Sequence, residues 1–382
     1  MTNELSSETE KLVRSWDQLD SAWLRDYLVQ GVEDPRINVQ SILARHFLID
    51  ELAGPGLQSL MREECRFAAV ADWLVRIARL QNDVEGRTIT LHALKRGHDN
   101  AEGLEIPAFV LHAFDGLPCL CAGQTVPNYI EQFLSEPKPE SNSGVWLDAF
   151  ARIWRDLLSK QPRERPGQQL APTDRAYGEI PSTAGKESLS VIEPACGSAN
   201  DYRFLQSYGI APLLDYTGFD LCPKNIENAR SLFLGARFEV GNVFELSAAD
   251  GQYEVCVVHD LLEHLSMAGL EQAVAEMCRV TRSALCLGFF QMDEIPHHIV
   301  RPRDEYHWNL LSLDQVRRLF ANHGFDTQAI HIDSFQSRQF GPITTHNPNA
   351  YTLICRRASQ RPQGSQTSQT GLNCNVLPAG LT

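Results

Sequence analysis

The feature that most constrains the fold of this chain is an apolar run followed by an acid, a turn of small residues and a helix-like segment. The run is Leu189–Ile192, Glu193 follows it, and Gly197 lies in the turn before Asp201–Tyr208. A turn of small residues lets backbone N–H groups and the first turn of a helix approach a ligand closely. The pattern therefore predicts the opening unit of a nucleotide-binding α/β sheet.

The alternation of strand and helix continues beyond this unit. Four strand-like runs follow in order, Leu213–Asp220, Ala236–Val240, Tyr253–Val258 and Ala284–Phe290. The third of these runs is almost continuously apolar, which is typical of a strand covered on both faces. The last two runs, Asp326–Ile332 and Ala350–Cys355, have no predicted helix between them. We therefore expect an antiparallel pair at one sheet edge.

The second strand ends in a carboxylate, Asp220, about 20 residues after Gly197. An acid at this spacing is placed to accept hydrogen bonds from ribose hydroxyls. The alternative is an acid that only solvates a strand end. The Gly-x-Gly-x-x-Gly pattern of many NAD-binding domains is absent, which disfavours a nicotinamide cofactor.

Residues Ser188–Arg357 resemble the class I S-adenosylmethionine-dependent methyltransferases, and within them the group with a Glu-His-Leu motif after strand four. The resemblance implies a Rossmann-like, seven-stranded α/β sheet, mostly parallel with a C-terminal antiparallel hairpin. It implies S-adenosyl-L-methionine as the cofactor. It also implies the residues that contact this cofactor, namely Glu193, Ala195, Gly197, Asp220, Leu221, Asn242, Val243, His259 and Asp260.

Two features depart from the family's usual motifs. Ser198 and Ala199 stand where the family often has glycine, and a positive φ there costs on the order of 1 kcal/mol for a non-glycine residue. Asn242 replaces the more usual aspartate, and its amide can both accept a hydrogen bond from adenine and donate one. We therefore expect an intact cofactor site.

Two histidines follow strand four, where the resemblance places the transferred methyl group. An alcohol or phenol acceptor needs a nearby base, and imidazole titrates near neutral pH. His264 and His259 are therefore the candidate catalytic residues. The alternative is that His264 caps the next helix or packs under the cofactor.

The loop after strand five, Gln291–Trp308, is the candidate substrate-binding segment because it leaves the carboxyl edge of the predicted sheet. Arg301 and Arg303 can bind a carboxylate or phosphate, and Tyr306 or Trp308 can stack on a ring. The alternative is a solvated loop with ordinary salt bridges. The loop also contains three histidines, but the resemblance gives no support for a metal site there, so we predict no metal.

The chain divides into four predicted parts. Residues 1–135 are mainly helical, with Asp34 and Pro35 at one helix start, and serve as a substrate cap or in oligomerisation. Residues 136–187 form a linker with an amphipathic helix at 146–160 and a cofactor lid that includes Tyr177. Residues 188–357 form the methyltransferase domain. Residues 358–382 are predicted to be a disordered tail.

The composition of the chain disfavours some classes of partner and location. The net charge is −14 and there is no basic run, which disfavours a nucleic-acid substrate. No apolar run approaches the roughly 20 residues that a membrane span needs. The ten cysteines form no Cys-x-x-Cys pair, which is typical of reduced, buried thiols in a cytoplasmic protein.

These observations predict a methyltransferase that acts on an O or N atom of a small-molecule acceptor by in-line displacement, in a chain that can form a homodimer. A protein or RNA methyltransferase with an N-terminal docking module is one alternative. A catalytically inactive scaffold that binds the cofactor is the other.

Overall fold

The structure is a computed structural model that describes residues 38–54, 61–62, 64–65, 68, 188–303, 306–340 and 347–358. The helix start at Asp34 and Pro35, the amphipathic helix at 146–160, the lid residue Tyr177 and the tail at 358–382, apart from residue 358, lie outside the described residues. The four-part division of the chain therefore stays a prediction.

Nine strands and six α-helices lie in the described part of the chain. The strands are β1 (Leu189–Pro194), β2 (Leu214–Asp220), β3 (Arg237–Val240), β4 (Tyr253–His259), β5 (Thr281–Phe289), β6 (Met292–Asp293), β7 (Leu311–Ser312), β8 (Phe325–His331) and β9 (Tyr351–Arg357). The helices are α1 (Val39–Ala53), α2 (Asn200–Ser207), α3 (Pro223–Leu232), α4 (Met267–Val280), α5 (Leu313–Asn322) and α6 (Ile332–Phe340).

Seven of the strands form one sheet in the order β3-β2-β1-β4-β5-β9-β8. The first five strands in this order are parallel, and β9 is antiparallel to both of its neighbours, β5 and β8. The chain order reverses between β1 and β4, so the carboxyl ends of these two strands flank the crevice where open α/β sheets bind ligands. The predicted fold class is confirmed.

Helices cover both faces of this sheet. Along β4 the side chains alternate, so that Val255 and Val257 pack with α1, α2 and α3 while Cys256 and Val258 pack with α4 and α5. All four side chains are at most 4% exposed. Burial on both faces explains why the sequence of this strand is almost continuously apolar.

Two details of the predicted architecture are wrong. A helix, α6, does separate β8 from β9, and it packs through the buried side chains Ile332 and Phe335. In addition, β6 and β7 form a small second sheet that the sequence did not indicate.

Helix α1 precedes the sheet in sequence but packs on it. Its apolar residues Ile42, Leu43, Phe47 and Leu48 are at most 2% exposed, as their helical spacing predicts. The helix begins at Val39, where the Asn38 side chain accepts hydrogen bonds from the N–H groups of Gln40 and Ser41. This segment of the N-terminal region therefore belongs to the core of the sheet domain.

Candidate functional site

The turn after β1 has an unusual backbone. Ala195, Gly197 and Ala199 all have positive φ, at 59°, 55° and 64°. In the described part of the chain only one other non-glycine residue, Asp260 at the end of β4, has a positive φ. Strained residues of this kind cost free energy and persist only where the surrounding packing holds them in place. They are concentrated at ligand sites. Ala199 therefore has the positive φ whose cost we expected. Ala195 is a second strained position, which the sequence did not reveal.

Helix α2 begins at this turn with an open N-terminus. Its N-cap, Ala199, makes no side-chain hydrogen bond to the first turn. The first N–H groups of a helix carry a partial positive charge and need partners. The turn and the helix start can therefore donate hydrogen bonds to a polar ligand, as the predicted nucleotide-type site requires.

Asp220 lies at the end of β2 and is tied to this turn. Its Oδ2 accepts a hydrogen bond from the Gly197 N–H at 2.9 Å. Its Oδ1 accepts from the Cys222 N–H at 2.8 Å and from the Asn225 amide at 3.1 Å. A carboxylate has about four acceptor positions, so these three bonds leave capacity for a ligand hydroxyl. The residue is therefore placed as the ribose role requires.

The ends of β2 and β3 bring the remaining predicted adenine contacts together. Leu221 and Val243 are half-buried, and they follow the adjacent strands β2 and β3. The side-chain Oδ1 of Asn242 accepts a hydrogen bond from the Phe244 N–H at 3.0 Å, which fixes the turn after β3. The contacts of Leu221, Asn242 and Val243 with adenine stay a prediction.

Glu193 is the acid at the end of β1, and its side chain lies under the turn. Burial, with a further contribution from the charge of Asp201, raises the pKa of Glu193 to about 8. The Tyr216 hydroxyl donates a hydrogen bond to its carboxylate. Because Glu193 is 5% exposed, it does not present a charge to solvent, and its contact with the cofactor stays a prediction.

His259, the last residue of β4, pairs with Asp201 of α2. Its Nδ1 lies 3.4 Å from a carboxylate oxygen of Asp201, an ion-pair distance without hydrogen-bond alignment. Burial alone would lower the pKa of His259, but the Asp201 charge outweighs it and raises the pKa to about 9. An imidazole that is already protonated at neutral pH cannot accept a proton. The raised pKa that the Asp201 charge causes therefore disfavours His259 as the catalytic base.

His264 differs from His259 in that its pKa is lowered rather than raised. Its Nδ1 lies 3.0 Å from the carbonyl oxygen of His307 and must donate to it, so Nε2 is the acceptor nitrogen of the neutral ring. Burial lowers the pKa of His264, against the smaller opposing effect of this hydrogen bond. The residue does not cap the following helix, because the Ser266 hydroxyl accepts from the Gly269 N–H in that position. His264 is therefore a neutral base candidate.

Aromatic rings surround His264. The ring centroids of Phe290, Trp308 and Tyr306 lie 5.2, 5.4 and 5.6 Å from that of the imidazole. The rings of Phe290 and Trp308 are also 4.9 Å apart. We call these three aromatic residues the ring cluster. Its position beside the end of β4 brings the predicted substrate loop to the predicted base.

The loop reaches His264 because residues 299–303 and 306–310 form the two arms of a short antiparallel hairpin. Ile299 pairs with Leu310, and Pro302 pairs with His307. The strand that returns is fixed to the end of β4 by hydrogen bonds from the His307 N–H to the His264 carbonyl and from the Asn309 N–H to the Glu263 carbonyl. Arg301 and Arg303 are exposed, so the structure leaves both guanidinium groups accessible.

Two supporting residues were assigned no role from the sequence. Glu263 is fully buried, and its Oε1 accepts hydrogen bonds from the N–H groups of Phe290 and Gln291. Gln40 of α1 donates from its amide to the carbonyl oxygens of Phe289 and Tyr351 at 3.0 and 2.8 Å. Both residues fix the carboxyl end of β5, where the ring cluster begins. The Glu-His-Leu motif was a signal for Glu263, whereas nothing local signalled Gln40.

Histidine and carboxylate groups do not assemble into a metal site here. Among the described residues, no group of three His, Cys, Asp or Glu side chains is placed to hold a metal ion. His298 instead accepts a hydrogen bond from the Ser312 N–H at 3.0 Å, and His297 lies 3.3 Å from the Gln315 amide. These contacts give the loop histidines a structural role.

Comparison with known families shows which proteins this part of the chain is similar to. Residues 191–284 match the family profile of a methyltransferase domain. This part of the chain is therefore similar to a methyltransferase domain. The match runs from β1 into β5 and so includes the strained turn, Asp220, His259 and His264. The predicted resemblance to S-adenosylmethionine-dependent methyltransferases is confirmed.

Solved structures of methyltransferases resemble the domain at low sequence identity. A SAM-dependent methyltransferase from Methanosarcina mazei is 14% identical, with 50% of this chain and 99% of that chain covered and a TM-score of 0.36. One from Mesorhizobium loti is 12% identical, with 44% and 91% covered and a TM-score of 0.36. The magnesium protoporphyrin IX methyltransferase of Synechocystis, solved with bound SAM, is 14% identical, with 46% and 72% covered and a TM-score of 0.32.

A search of curated proteins finds no match to this chain. Within the described residues, no helix has both the length and the apolar character that crossing a membrane requires.

Proposed function

We propose that this methyltransferase domain transfers a methyl group from S-adenosyl-L-methionine to an oxygen or nitrogen atom of a small-molecule acceptor. The turn at Gly197 and Asp220 would hold the ribose and the methionine part, and Leu221, Asn242 and Val243 would contact the adenine. The fit of these residues rests on the open helix start and on the remaining acceptor capacity of Asp220. When bound, the cofactor supplies a methyl group on a positively charged sulfur.

The observation that carries the catalytic part of the proposal is the fixed orientation of His264. Because Nδ1 donates to the His307 carbonyl, Nε2 is the nitrogen that can take a proton from an acceptor hydroxyl. Burial lowers the pKa of the ring and so keeps it neutral near pH 7, with Nε2 available to accept a proton. The ring cluster places aromatic surface beside the imidazole, on which an acceptor ring could pack next to Nε2.

A small acceptor fits the site better than a polymer. The ring cluster places aromatic surface beside His264, and the returning arm of the hairpin is hydrogen-bonded to the segment that carries this residue. The net charge of −14 offers little attraction to RNA. The cytoplasmic location and a homodimer stay predictions.

Two measurements test the proposal. Calorimetry with S-adenosylhomocysteine measures whether the domain binds a cofactor product saturably. Turnover with radiolabelled cofactor and a panel of phenols and aromatic amines then measures methyl transfer. We expect saturable binding, and for phenol acceptors we expect kcat to fall about 100-fold or more in His264→Ala while cofactor affinity is retained.

The pH dependence separates a base from a structural residue. In the native protein, kcat/KM for a phenol should rise with pH up to a pKa below the usual value of histidine and then level off, because only neutral His264 accepts a proton. In His264→Ala this rising limb should be lost. An unchanged limb in the variant would exclude His264 as the base, and a lack of S-adenosylhomocysteine binding would exclude the enzymatic proposal itself.

A further inference from the structure

The four predicted substrate residues lie on one face of the hairpin at 299–310. The register that pairs Pro302 with His307 places Arg301 opposite Trp308 and Arg303 opposite Tyr306. Two hydrogen bonds fit this register, from the Trp308 N–H to the Arg301 carbonyl at 2.8 Å and from the Arg303 N–H to the Tyr306 carbonyl at 2.7 Å. Residues two apart on a strand share a face, and opposite residues share it too.

This face combines two cations with two aromatic rings. Arg301 and Arg303 are both exposed, and in the part of the chain that the structure describes neither guanidinium makes an ion pair. The tip of the hairpin, residues 304–305, lies outside the described residues. The guanidinium fork suits carboxylate and phosphate oxygens in particular.

The same face meets the base. The rings of Tyr306 and Trp308 contact the His264 ring, so the aromatic half of this face meets the predicted base. A planar group that packs on these rings would therefore have one end toward the arginines and its other end toward His264. The two arginines alone would position only one end of a ligand, and the two rings alone would position only its planar part.

Building on the proposed function, we propose that the methyl acceptor is a planar aromatic molecule that carries an anionic group, a carboxylate or a phosphate. Arg301 and Arg303 bind the anionic group, and Trp308 and Tyr306 pack on the ring. This arrangement directs the hydroxyl or amine at the far end of the ring to His264. The hydroxyl gives its proton to Nε2 as its oxygen gains the methyl group, and S-adenosylhomocysteine is released.

The test uses matched pairs of ring compounds that differ only in charge. Hydroxylated benzoates, naphthoates and indole carboxylates, and hydroxyphenyl phosphates, are each compared with a neutral partner, the amide or the methyl ester. Binding is measured by calorimetry with the full chain saturated with S-adenosylhomocysteine. We expect at least one anionic compound to bind about tenfold or more tightly than its neutral partner, which is the size of one charge-assisted contact.

Variants assign the preference to the hairpin face. In Arg301→Gln and in Arg303→Gln, the affinity ratio between the anionic and neutral partners should fall toward one. Trp308→Leu should weaken both members of a pair and leave their ratio unchanged, because it removes ring packing and no charge. Arg282→Gln is the matched control, since this exposed arginine lies near the amino end of β5, away from the site.

Each outcome has a definite meaning. Equal affinity for anionic and neutral partners across all pairs overturns the proposal, and so does a preference that survives both arginine substitutions. A phosphate preference over a carboxylate, or the reverse, identifies the anion. If S-adenosylhomocysteine itself does not bind, the proposed function fails. If it binds and no anionic preference exists, only the assignment of the acceptor fails.

Discussion

Asp201 and His259 form an ion pair at 3.4 Å between the first turn of α2 and the end of β4. The pair links the strained turn after β1 to the strand that leads to the catalytic candidate His264. It also sets the charge of His259, because burial without a nearby carboxylate would keep this imidazole neutral. The two histidines after β4 are therefore distinguished by their neighbours, with one a cation and the other a base.

The first prediction concerns this charge. In Asp201→Asn the pKa of His259 should fall from about 9, since burial then acts against only the smaller contributions of Asp260 and Glu193. An NMR titration of the histidine ring protons measures the change. Asp215→Asn is the control, because Asp215 is half-exposed and pairs with Arg237 at the surface. A His259 pKa that stays near 9 in the Asn variant would contradict the assignment.

The ion pair also makes stability depend on pH. The pKa of His259 is higher in the folded than in the unfolded chain, so the folded state binds the extra proton between about pH 6.5 and pH 9. The contribution of the pair is therefore complete below pH 6.5 and is lost as the pH rises through about 9. Urea unfolding of Asp201→Asn should show a smaller loss of stability over this range than the native protein shows.

The second prediction concerns the cofactor. Asp220→Ala should weaken the binding of S-adenosylhomocysteine at least tenfold, because it removes the predicted ribose acceptor and the partner of the Gly197 N–H. Calorimetry measures the affinity. Asp250→Ala is the control, since Asp250 is 82% exposed and precedes β4 at the opposite end of the sheet. If both variants bind as the native protein does, Asp220 is not part of the site.

Much of this site could be predicted because its signals are local in sequence. Asp220 and Gly197 occur in a strand-turn-helix pattern, and each residue's place follows from where a strand ends. The substrate loop was predicted as a segment because it leaves the carboxyl edge of β5. The hairpin register that puts Arg301 and Trp308 side by side depends on backbone pairing, which the sequence of the loop does not specify.

Other features depend on contacts between distant residues. The partners of Gln40 are 249 and 311 positions away in the sequence, so its role could not be read from α1 alone. The charge of His259 likewise depends on Asp201, which belongs to another element. Helix α6 was missed because it is short and largely polar, and the contacts of Ile332 and Phe335 with the core stabilise it.

The third prediction concerns Glu263. Burial, together with the charge of Asp260, raises the pKa of this carboxyl well above the usual range. The folded protein therefore holds a proton that the unfolded chain releases above about pH 4.5, and stability should fall as the pH rises from there to the folded pKa. Glu263→Gln keeps the acceptor for the Phe290 N–H and removes this titration.

Unfolding in urea between pH 5 and 9 measures the effect. The free energy of unfolding should decline less steeply in Glu263→Gln, by up to about 1.4 kcal/mol per pH unit, which corresponds to one proton. Glu239→Gln, an exposed position on β3, should retain the native slope. Equal slopes in the native protein and Glu263→Gln would show that Glu263 is ionised in the folded state.

The last prediction concerns the contact between α1 and the sheet. Gln40→Met removes two buried hydrogen bonds and leaves the carbonyl oxygens of Phe289 and Tyr351 without these donors. We expect a loss of about 1–3 kcal/mol in the free energy of unfolding. Gln206→Met, at an exposed position of α2, controls for the change of side chain and should stay within about 0.5 kcal/mol of the native protein.

Hydrogen exchange shows where this loss acts. If Gln40 fixes α1 to the ends of β5 and β9, the amides of α1 should exchange faster in Gln40→Met while those of β4, in the centre of the sheet, stay protected. Because Phe290 follows directly on β5, KM for the acceptor should rise in the same variant while the affinity for S-adenosylhomocysteine changes little. Native exchange in α1 together with a native KM would mean that apolar packing alone holds the helix, and that Gln40 has no part in positioning the ring cluster.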